Sequence, residues 1–328
     1  MCKARSPAEV LLSEKRPWSD RLAFPFRLVI NPVYKASESL MRRETMQIYD
    51  AHVHLLWASS FHQSAGQWIA LKKKGLRGMA VIVMGYYLQD PERCLALIPT
   101  AYHDRVDRGF FREPPDPASS IPASPDGLQL FPYLDSRFME VGRSDLAPYR
   151  DAGFCGLKIL YVPEEDRENG MIGWEALFHR SLRASEDLTA HLVEQAASFG
   201  WPIIFHADLR RYGSFVESLI AAYPSTPFVV PHLGFSRKAV AGVLERQPHV
   251  STDVSSLLPF MKQAPAAYAD FITAYPDRVL FGTDATWGWP ELEEEYLAFL
   301  PGMIRDEEVL SQVLAGNYLR IHGQGGGP

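Results

Sequence analysis

The sequence has few cysteines and no long apolar run, and each absence excludes a class of protein. Only three cysteines occur among 328 residues, and none stands in a Cys-x-x-Cys pair. This usage is typical of reduced thiols in a cytoplasmic protein and argues against a disulfide scaffold. No apolar run reaches the roughly 18 residues that span a bilayer. The apolar pair Leu11-Leu12 is followed at once by a charged stretch, which is unlike a secretory signal.

The sequence also lacks an excess of positive charge. Its net charge is −6 and its pI is near 5.9, so we do not expect it to bind nucleic acid. The glycine-rich dinucleotide and phosphate motifs are absent, as is the Gly-x-Ser-x-Gly motif of serine hydrolases. The composition, 47% hydrophobic and 22% charged, is that of a soluble globular protein. We expect a small-molecule substrate and no nucleic-acid or membrane partner, and leave open a homo-oligomer such as a dimer.

What is present is a regular alternation of short apolar segments with helical patterns. Eight such segments, rich in β-branched residues, are predicted to be buried strands. Strands that alternate with helices favour a parallel sheet, and eight of them favour one α/β domain, a (β/α)8 TIM barrel spanning residues 46–322. The predicted strands are 47–54, 77–85, 128–134, 156–161, 202–206, 227–232, 249–254 and 278–284.

Three segments do not fit the alternation. Residues 1–45 mix charges and prolines and are predicted to be an N-terminal extension, partly ordered on the barrel or a disordered tail; alternatively, Met46 is the natural start. Residues 323–328 are glycine-rich and are predicted to be a flexible tail. The stretch from Tyr86 to Gly127 contains seven prolines, and its length predicts a lid or a partly helical insert.

The ends of the predicted strands carry polar residues that suit a metal ion. His52 and His54 are two residues apart on the first strand, so they share one face. His206 ends the fifth strand and Asp284 ends the eighth. In this kind of barrel the carboxyl ends of the strands meet at one mouth. These four residues can hold one Zn²⁺ ion and leave a coordination position for water or substrate.

Three further strand ends extend this site. His232 ends the sixth strand and lies outside the ligand set, so it is a candidate general acid/base or electrophile. Lys158 lies in the fourth strand, and Asp253 in the seventh is a candidate partner for a ligand. Asp284 can also accept a proton from the water that a metal activates. Each residue alone is more often a hydrogen-bonded structural group, but their shared place favours a site.

These segments resemble the amidohydrolase superfamily. The resemblance covers nearly all of residues 46–322, is nearest to the amidohydrolase-2 branch, and rests on DAHVH, GLKI, FHADL, PHLG, LFGTD and AGNYLRIHG. That branch includes aminocarboxymuconate-semialdehyde decarboxylase-like enzymes, lactonases and other metal-dependent hydrolases. It implies that the metal ligands are His52, His54, His206 and Asp284, and that His232 acts in catalysis.

The resemblance leaves the role of Lys158 open. In binuclear members of the superfamily, a carboxylated lysine on the fourth strand bridges two metal ions. Lys158 can instead bind a substrate carboxylate, or form an ion pair near the rim. The implied cofactor is therefore a divalent metal, one Zn²⁺, or two ions if Lys158 is carboxylated.

Substrate-binding candidates come from the segments that follow strands. Arg137 follows the third strand and can grip a carboxylate with two hydrogen bonds, or form a salt bridge within its loop. Four aromatic residues follow other strands and can line a planar substrate site, or pack loops together. They are Trp57, Tyr86, Tyr161 and Trp287.

The function expected from this set is hydrolysis of an ester, lactone or amide bond through metal-activated water, in a small carboxylate-bearing or cyclic substrate. The same residues can serve nonoxidative decarboxylation of an aromatic or unsaturated acid. A third alternative, an inactive barrel that binds a ligand, predicts a broken ligand set. Every ligand position is filled here, which favours an enzyme.

Overall fold

A computed structural model of the chain describes residues 46–55, 59–83, 121, 124, 127–137, 139, 144–166, 173–286 and 290–323. The predicted N-terminal extension, the predicted tail except Gly323, and most of the proline-rich insert lie outside the described residues. So do three of the aromatic candidates, Trp57, Tyr86 and Trp287.

The strands lie side by side in chain order, and each pairs in parallel with the next. Helices connect them, so the predicted (β/α)8 barrel is confirmed. The predicted eighth strand consists of two short pieces. The strands are β1 (Ile48–Leu55), β2 (Leu76–Val83), β3 (Gln129–Asp135), β4 (Gly156–Tyr161), β5 (Ile203–Ala207), β6 (Phe228–Val230), β7 (Val250–Asp253), β8 (Val279–Leu280) and β9 (Ala285–Thr286).

The barrel closes through the segment that joins β8 to β9. β8 pairs with β7, and β9 pairs with β1. Between them, the Ala51 amide donates to the carbonyl of Phe281 (2.9 Å), and the Asp284 amide donates to the carbonyl of His52 (2.8 Å). The Phe281 amide donates instead to the carbonyl of Val313 (2.8 Å), in a π-helical turn. This outside partner explains why the eighth strand is interrupted after Leu280.

Four of the described helices begin at side-chain caps that hydrophobic periodicity does not reveal. Ser181 accepts a hydrogen bond from the Ala184 amide, and Asp208 accepts one from the Arg210 amide. These two helices therefore begin directly after their capping residues, at Leu182 and Leu209. The helices are α1 (Ser59–Lys73), α2 (Ala147–Asp151), α3 (Trp174–Phe178), α4 (Leu182–Ser198), α5 (Leu209–Ala222), α6 (Arg237–Arg246), α7 (Leu258–Gln263), α8 (Pro265–Ala274), α9 (Glu291–Met303), α10 (Glu307–Ser311) and α11 (Asn317–His322). Within the described ranges, none of them combines the length and apolar character needed to cross a membrane.

The last helix, α11, packs against the amino-terminal end of the barrel. The Asn317 side chain donates to backbone carbonyls beside β8. Tyr318 stacks on Tyr49 of β1, and His322 stacks on Tyr318. The Tyr133 hydroxyl lies 2.8 Å from His322 Nε2, while His322 Nδ1 lies 2.9 Å from the Tyr318 carbonyl. Nδ1 must donate to that carbonyl, so His322 is held as a neutral ring that accepts from Tyr133.

This buried histidine predicts a loss of stability in mild acid. Burial lowers the pKa of His322 to about 4, against the weaker opposing effect of the Tyr318 carbonyl. The unfolded chain takes up a proton near pH 6.5, so His322 stabilises the fold fully above that pH, and its contribution is lost as the pH falls toward 4. We expect His322→Phe, which keeps a stacked ring, to remove about 2 kcal/mol of the pH dependence between pH 7 and 4, after allowance for partial exposure.

Urea unfolding at several pH values measures the difference between the two proteins. Other buried histidines contribute equally to both and cancel. Parallel stability curves for wild type and His322→Phe over this pH range would contradict the assignment.

Candidate metal centre

A β-bulge in β1 orients the two histidines of the His-x-His pair. Asp50 pairs with Met79 of β2, but Val53 pairs with Val81, so β1 carries one more residue than β2 over this stretch. A bulge of this kind redirects the side chains that follow it. The His52 and His54 rings meet, with their Nε2 atoms 3.3 Å apart.

The segment that joins β8 to β9 closes the barrel against β1, and we call this junction the seam. It brings Asp284 to these two rings. Asp284 Oδ1 lies 2.9 Å from His54 Nε2 and 3.4 Å from His52 Nε2. The Asp284 backbone has a left-handed φ of 65°, a strained conformation that aspartate tolerates better than most residues. The Asp284 amide is held by the His52 carbonyl, and its Oδ2 accepts a hydrogen bond from the Ser256 hydroxyl. The seam thus fixes the Asp284 backbone, and Ser256 fixes the Asp284 carboxylate.

These three residues fit a divalent metal ion. Their ligand atoms all lie within 4.8 Å of one another. A tetrahedral zinc ion, 2.0–2.1 Å from each nitrogen, keeps two ligand nitrogens about 3.3 Å apart. The separations between ligand atoms, 2.9, 3.3 and 3.4 Å, are close to that value. An arrangement of two imidazoles and one carboxylate around a common point is a standard ligand set for zinc.

The fourth predicted ligand, His206, lies beside this group but not within it. It ends β5 as predicted, and its ring centre is 5.0 Å from that of His232. His206 Nε2 is buried without a hydrogen-bond partner among the described residues. A buried polar atom without a partner is unfavourable, and coordination of a metal ion would satisfy it. The structure therefore groups three of the four predicted ligands and leaves the fourth adjacent.

Lys158 points into the same space. Its Nζ lies 3.0 Å from His52 Nε2, and its side chain is fully buried. Burial lowers the pKa of Lys158 to about 8, although the charges of Asp284 and Asp253 oppose that shift. Lys158 is therefore part of the site, and whether it bridges a second ion stays a prediction.

The buried histidines are held in the neutral form that ligates metals. Burial lowers the pKa of His52 to about 3, and the nearby charge of Lys158 adds to the effect. Burial likewise lowers the pKa of His54 and, well below its usual range, that of His206. Burial alone would raise the pKa of Asp284, but its electrostatic interaction with the His52 ring and its hydrogen bond with His54 bring that pKa well below its usual range.

Asp253 and Ser255, at the end of β7, set the tautomers of two histidines. Asp253 Oδ2 lies 3.0 Å from His52 Nδ1, and Asp253 Oδ1 accepts from the His232 amide and from the Ser255 hydroxyl. His232 Nδ1 lies 2.8 Å from the Ser255 carbonyl, which can only accept. Both Nδ1 atoms therefore carry the proton, and each Nε2 keeps a lone pair. His52 Nε2 is thereby available to a metal and His232 Nε2 to a proton.

His232 is held by a strained turn, not by a strand. β6 ends at Val230, and the four residues His232–Phe235 all have left-handed φ values between 51° and 61°. The prediction that the sixth strand reaches His232 was therefore wrong by two residues. Consecutive left-handed non-glycine residues cost roughly 1–2 kcal/mol each. Such strain persists where the surrounding structure enforces it, and commonly at functional positions.

Arg137 lies at the mouth end of β3 and is engaged by its neighbour. Its Nε lies 2.9 Å from each carboxylate oxygen of Asp135, and its Nη2 lies 2.7 Å from Oδ2. Both side chains are buried. The structure thus contains the loop salt bridge, and contact between Arg137 and a substrate carboxylate stays a prediction.

The placement of Tyr161 in the substrate site was wrong. Side chains alternate along β4, so Tyr161 faces away from Lys158 and toward the helices. Its ring stacks on Phe215 of α5 and meets Trp174 of α3 edge-on. Tyr161 is therefore a packing residue between the barrel and its helices.

Three residues around the centre, Ser255, Asp50 and its partner Thr283, were not expected from the sequence. Ser255 contacts the Nδ1 atoms of both His52 and His232, and its only signal is its place two residues after Asp253. Asp50 accepts from the amides of His52 and Thr283 and from the Thr283 hydroxyl. No sequence pattern separates these residues from ordinary polar residues at strand ends.

Comparisons with known proteins agree with this picture. The family model described as amidohydrolase matches residues 49–323. Among solved structures, an uncharacterised TIM-barrel protein from Bordetella bronchiseptica aligns over 86% of this chain and 100% of its own, with 15% identity and a TM-score of 0.50. A protein from Agrobacterium tumefaciens aligns over 85% of this chain and 97% of its own, with 14% identity and a TM-score of 0.50. At such identities the likeness shows the fold. A comparison with curated proteins finds no match.

The left-handed turn predicts that Gly234 cannot be replaced. Its φ is +57°, and an added Cβ would lie 2.5 Å from Leu209 Cδ1. We expect Gly234→Ala to lower the free energy of unfolding by about 2 kcal/mol or more. Gly213, inside α5, is the matched control, because an added Cβ meets nothing within 4 Å there. Gly213→Ala should be stabilising by about 0.5–1 kcal/mol. Equal urea midpoints for the two variants would contradict this view of the turn.

The Asp253 contact predicts a role in metal affinity. Asp253→Asn keeps the shape of the side chain but removes the charge that holds the His52 Nδ1 proton. Loss of such a partner typically weakens metal binding by roughly 10–100-fold, and we expect a decrease in this range. Competition with a colorimetric chelator measures it. Asp187→Asn, on the exposed face of α4, is the control, and unchanged affinity in Asp253→Asn would refute the role.

Proposed function

The chain belongs to the amidohydrolase family, and we propose that it is a metal-dependent hydrolase that cleaves an ester, lactone or amide bond of a small substrate. The observation that carries the proposal is the group formed by His52, His54 and Asp284 at the carboxyl end of the barrel strands. Active sites of this fold lie at that end. All four predicted ligand positions carry a histidine or an aspartate, which argues against an inactive binding protein.

We propose Zn²⁺ as the ion, because two neutral imidazoles and a carboxylate suit it well. Bound there, the ion would lower the pKa of a water molecule to about 7 and polarise a substrate carbonyl. His52, His54 and Asp284 would hold it, and His206 is placed to contribute its partnerless Nε2.

The residues of the chain supply the proton transfers. Asp284 is partly exposed, so the carboxylate oxygen that does not hold the metal can accept a proton from the nucleophile. His232 Nδ1 is occupied by Ser255, so His232 exchanges protons through Nε2. Asp253 holds the His232 backbone amide (2.9 Å), which keeps that ring directed toward the reacting atoms. General acid–base catalysis by a positioned histidine typically contributes roughly 10²–10⁴-fold in rate.

Two cationic side chains support a carboxylate-bearing substrate. Lys158 lies beside His52, and the charge of Arg137 is close enough to act on His54 and Lys158. Once a divalent ion offsets the negative charge of Asp253 and Asp284, a substrate carboxylate could interact with Lys158 and share the Arg137 guanidinium with Asp135.

The same two cations also suit decarboxylation, the second candidate function. In that reaction they would hold the carboxylate that leaves as carbon dioxide, and His232 Nε2 would deliver a proton to carbon. The two reactions differ in whether water enters the product. Incubation with a panel of carboxylated lactones, esters and unsaturated acids in ¹⁸O-water separates them. We expect ¹⁸O in the product without release of carbon dioxide, and carbon dioxide without ¹⁸O incorporation would replace the hydrolase proposal.

Alanine substitutions separate the proposed metal ligands from the proposed acid/base. His52→Ala and Asp284→Ala should lose bound metal while circular dichroism shows a folded barrel. His232→Ala should retain the metal but lose about 10²–10⁴-fold in turnover. Metal content is measured by mass spectrometry on protein purified without chelator.

The matched control is His191→Ala, because His191 lies on the exposed face of α4, bonded to Gln195. It should change neither metal content nor turnover. Loss of metal in His232→Ala would show that the role assigned to His232 is wrong, and wild-type protein that takes up no metal would refute the centre.

A further inference from the structure

Behind the metal centre, Asp50 ties together the two chain segments that carry its ligands. Asp50 Oδ1 accepts from the His52 amide (2.8 Å) and from the Thr283 amide (3.1 Å). Asp50 Oδ2 accepts from the Thr283 hydroxyl (2.6 Å). His52 and Asp284, the residue after Thr283, are proposed metal ligands, so one buried carboxylate holds the backbone on both sides of the seam.

A second buried carboxyl group lies beside Asp50. Glu293, in the first turn of α9, is completely buried, and its carboxyl interacts with that of Asp50. Neither of its oxygens accepts a hydrogen bond from a donor among the described residues. Burial raises the pKa of Glu293 well above its usual range, and the negative charge of Asp50 raises it further. Its neighbours in sequence differ sharply, since Glu294 and Glu295 are exposed and paired with lysines.

The distribution of donors decides which carboxyl carries the charge. Three donors surround Asp50, which stabilises its ionised form. Donors are lacking at Glu293, and two adjacent buried carboxylates cannot both be ionised without a large cost. A protonated Glu293 resolves both problems, because its O–H can donate to Asp50.

We propose that Glu293 is a protonated positioning residue, whose carboxylic acid donates to Asp50 and thereby fixes the seam that carries His52 and Asp284. It touches neither substrate nor metal. This inference rests on the proposed metal centre for its effect on metal binding, but the protonated acid and its effect on the seam are independent of any metal.

Three variants test the proposal in the full-length protein. Glu293→Gln keeps a neutral donor, Glu293→Met keeps the length but removes the donor, and Glu294→Gln changes the exposed neighbour on the same helix. Infrared spectroscopy at neutral pH detects the carbonyl stretch of a protonated carboxylic acid. We expect this band in wild type and in Glu294→Gln, and its loss in Glu293→Gln. A wild-type spectrum without the band, or a band that survives in Glu293→Gln, would overturn the protonated state.

Cobalt titration and amide exchange test the positioning role. We expect Glu293→Gln to bind Co²⁺ within about threefold of wild type with the same visible spectrum, and Glu293→Met to bind about tenfold more weakly. Amide hydrogen exchange of residues 48–55 and 281–286 should accelerate in Glu293→Met only. Wild-type exchange and Co²⁺ affinity in Glu293→Met would overturn the role.

The outcomes distinguish this proposal from the proposed function. Wild-type protein that binds no Co²⁺ would refute the metal centre, while the infrared band and the exchange rates would still decide the role of Glu293. If Glu293→Met does not fold, the comparison of Glu293→Gln with Glu294→Gln decides through the infrared band.

Discussion

The hydrogen bond from the Asp284 amide to the His52 carbonyl is the contact on which the centre depends. These residues are more than 200 positions apart, and they meet only because the barrel closes between its first and last strands. The Ala51 amide and the Asp50 carboxylate reinforce the same seam. Any change that opens the barrel here would separate two ligands from the third. The contacts that close the barrel are therefore also the contacts that bring the proposed ligands together.

Burial at the mouth sets the charges that a cation requires. His52, His54 and His206 are neutral because their rings are buried, and Asp253 and Asp284 stay ionised because histidine and serine side chains interact with them. Asp135 is already balanced by Arg137. Two carboxylates thus face the single ammonium of Lys158, and the remaining negative charge favours a divalent ion. This electrostatic argument agrees with the separations of the ligand atoms, although the two are independent.

The sequence predicted the fold and the residues of the mouth because both depend on local patterns. Apolar runs identify strands, and a histidine or aspartate at the end of such a run is visible without a structure. It did not predict Glu293 or Ser255, whose roles depend on contacts across the barrel. It misplaced Tyr161, because proximity to a strand end was used without the alternation that turns the ring outward. The β-bulge in β1 was also missed, because only the pairing of β1 with β2 reveals it.

Backbone strain is concentrated at the site, where the stable barrel holds residues in unfavourable backbone conformations. Asp284, Ser256 and His232 all have left-handed φ values, and each follows the end of a strand. Hydrogen bonds to the seam and to Asp253 hold two of them in place. A relaxed backbone would turn the Asp284 carboxylate and the His232 ring away from the shared space. The conformational energy is therefore offset by the rigid strands behind the mouth, and the orientation of the reactive groups is the property it maintains.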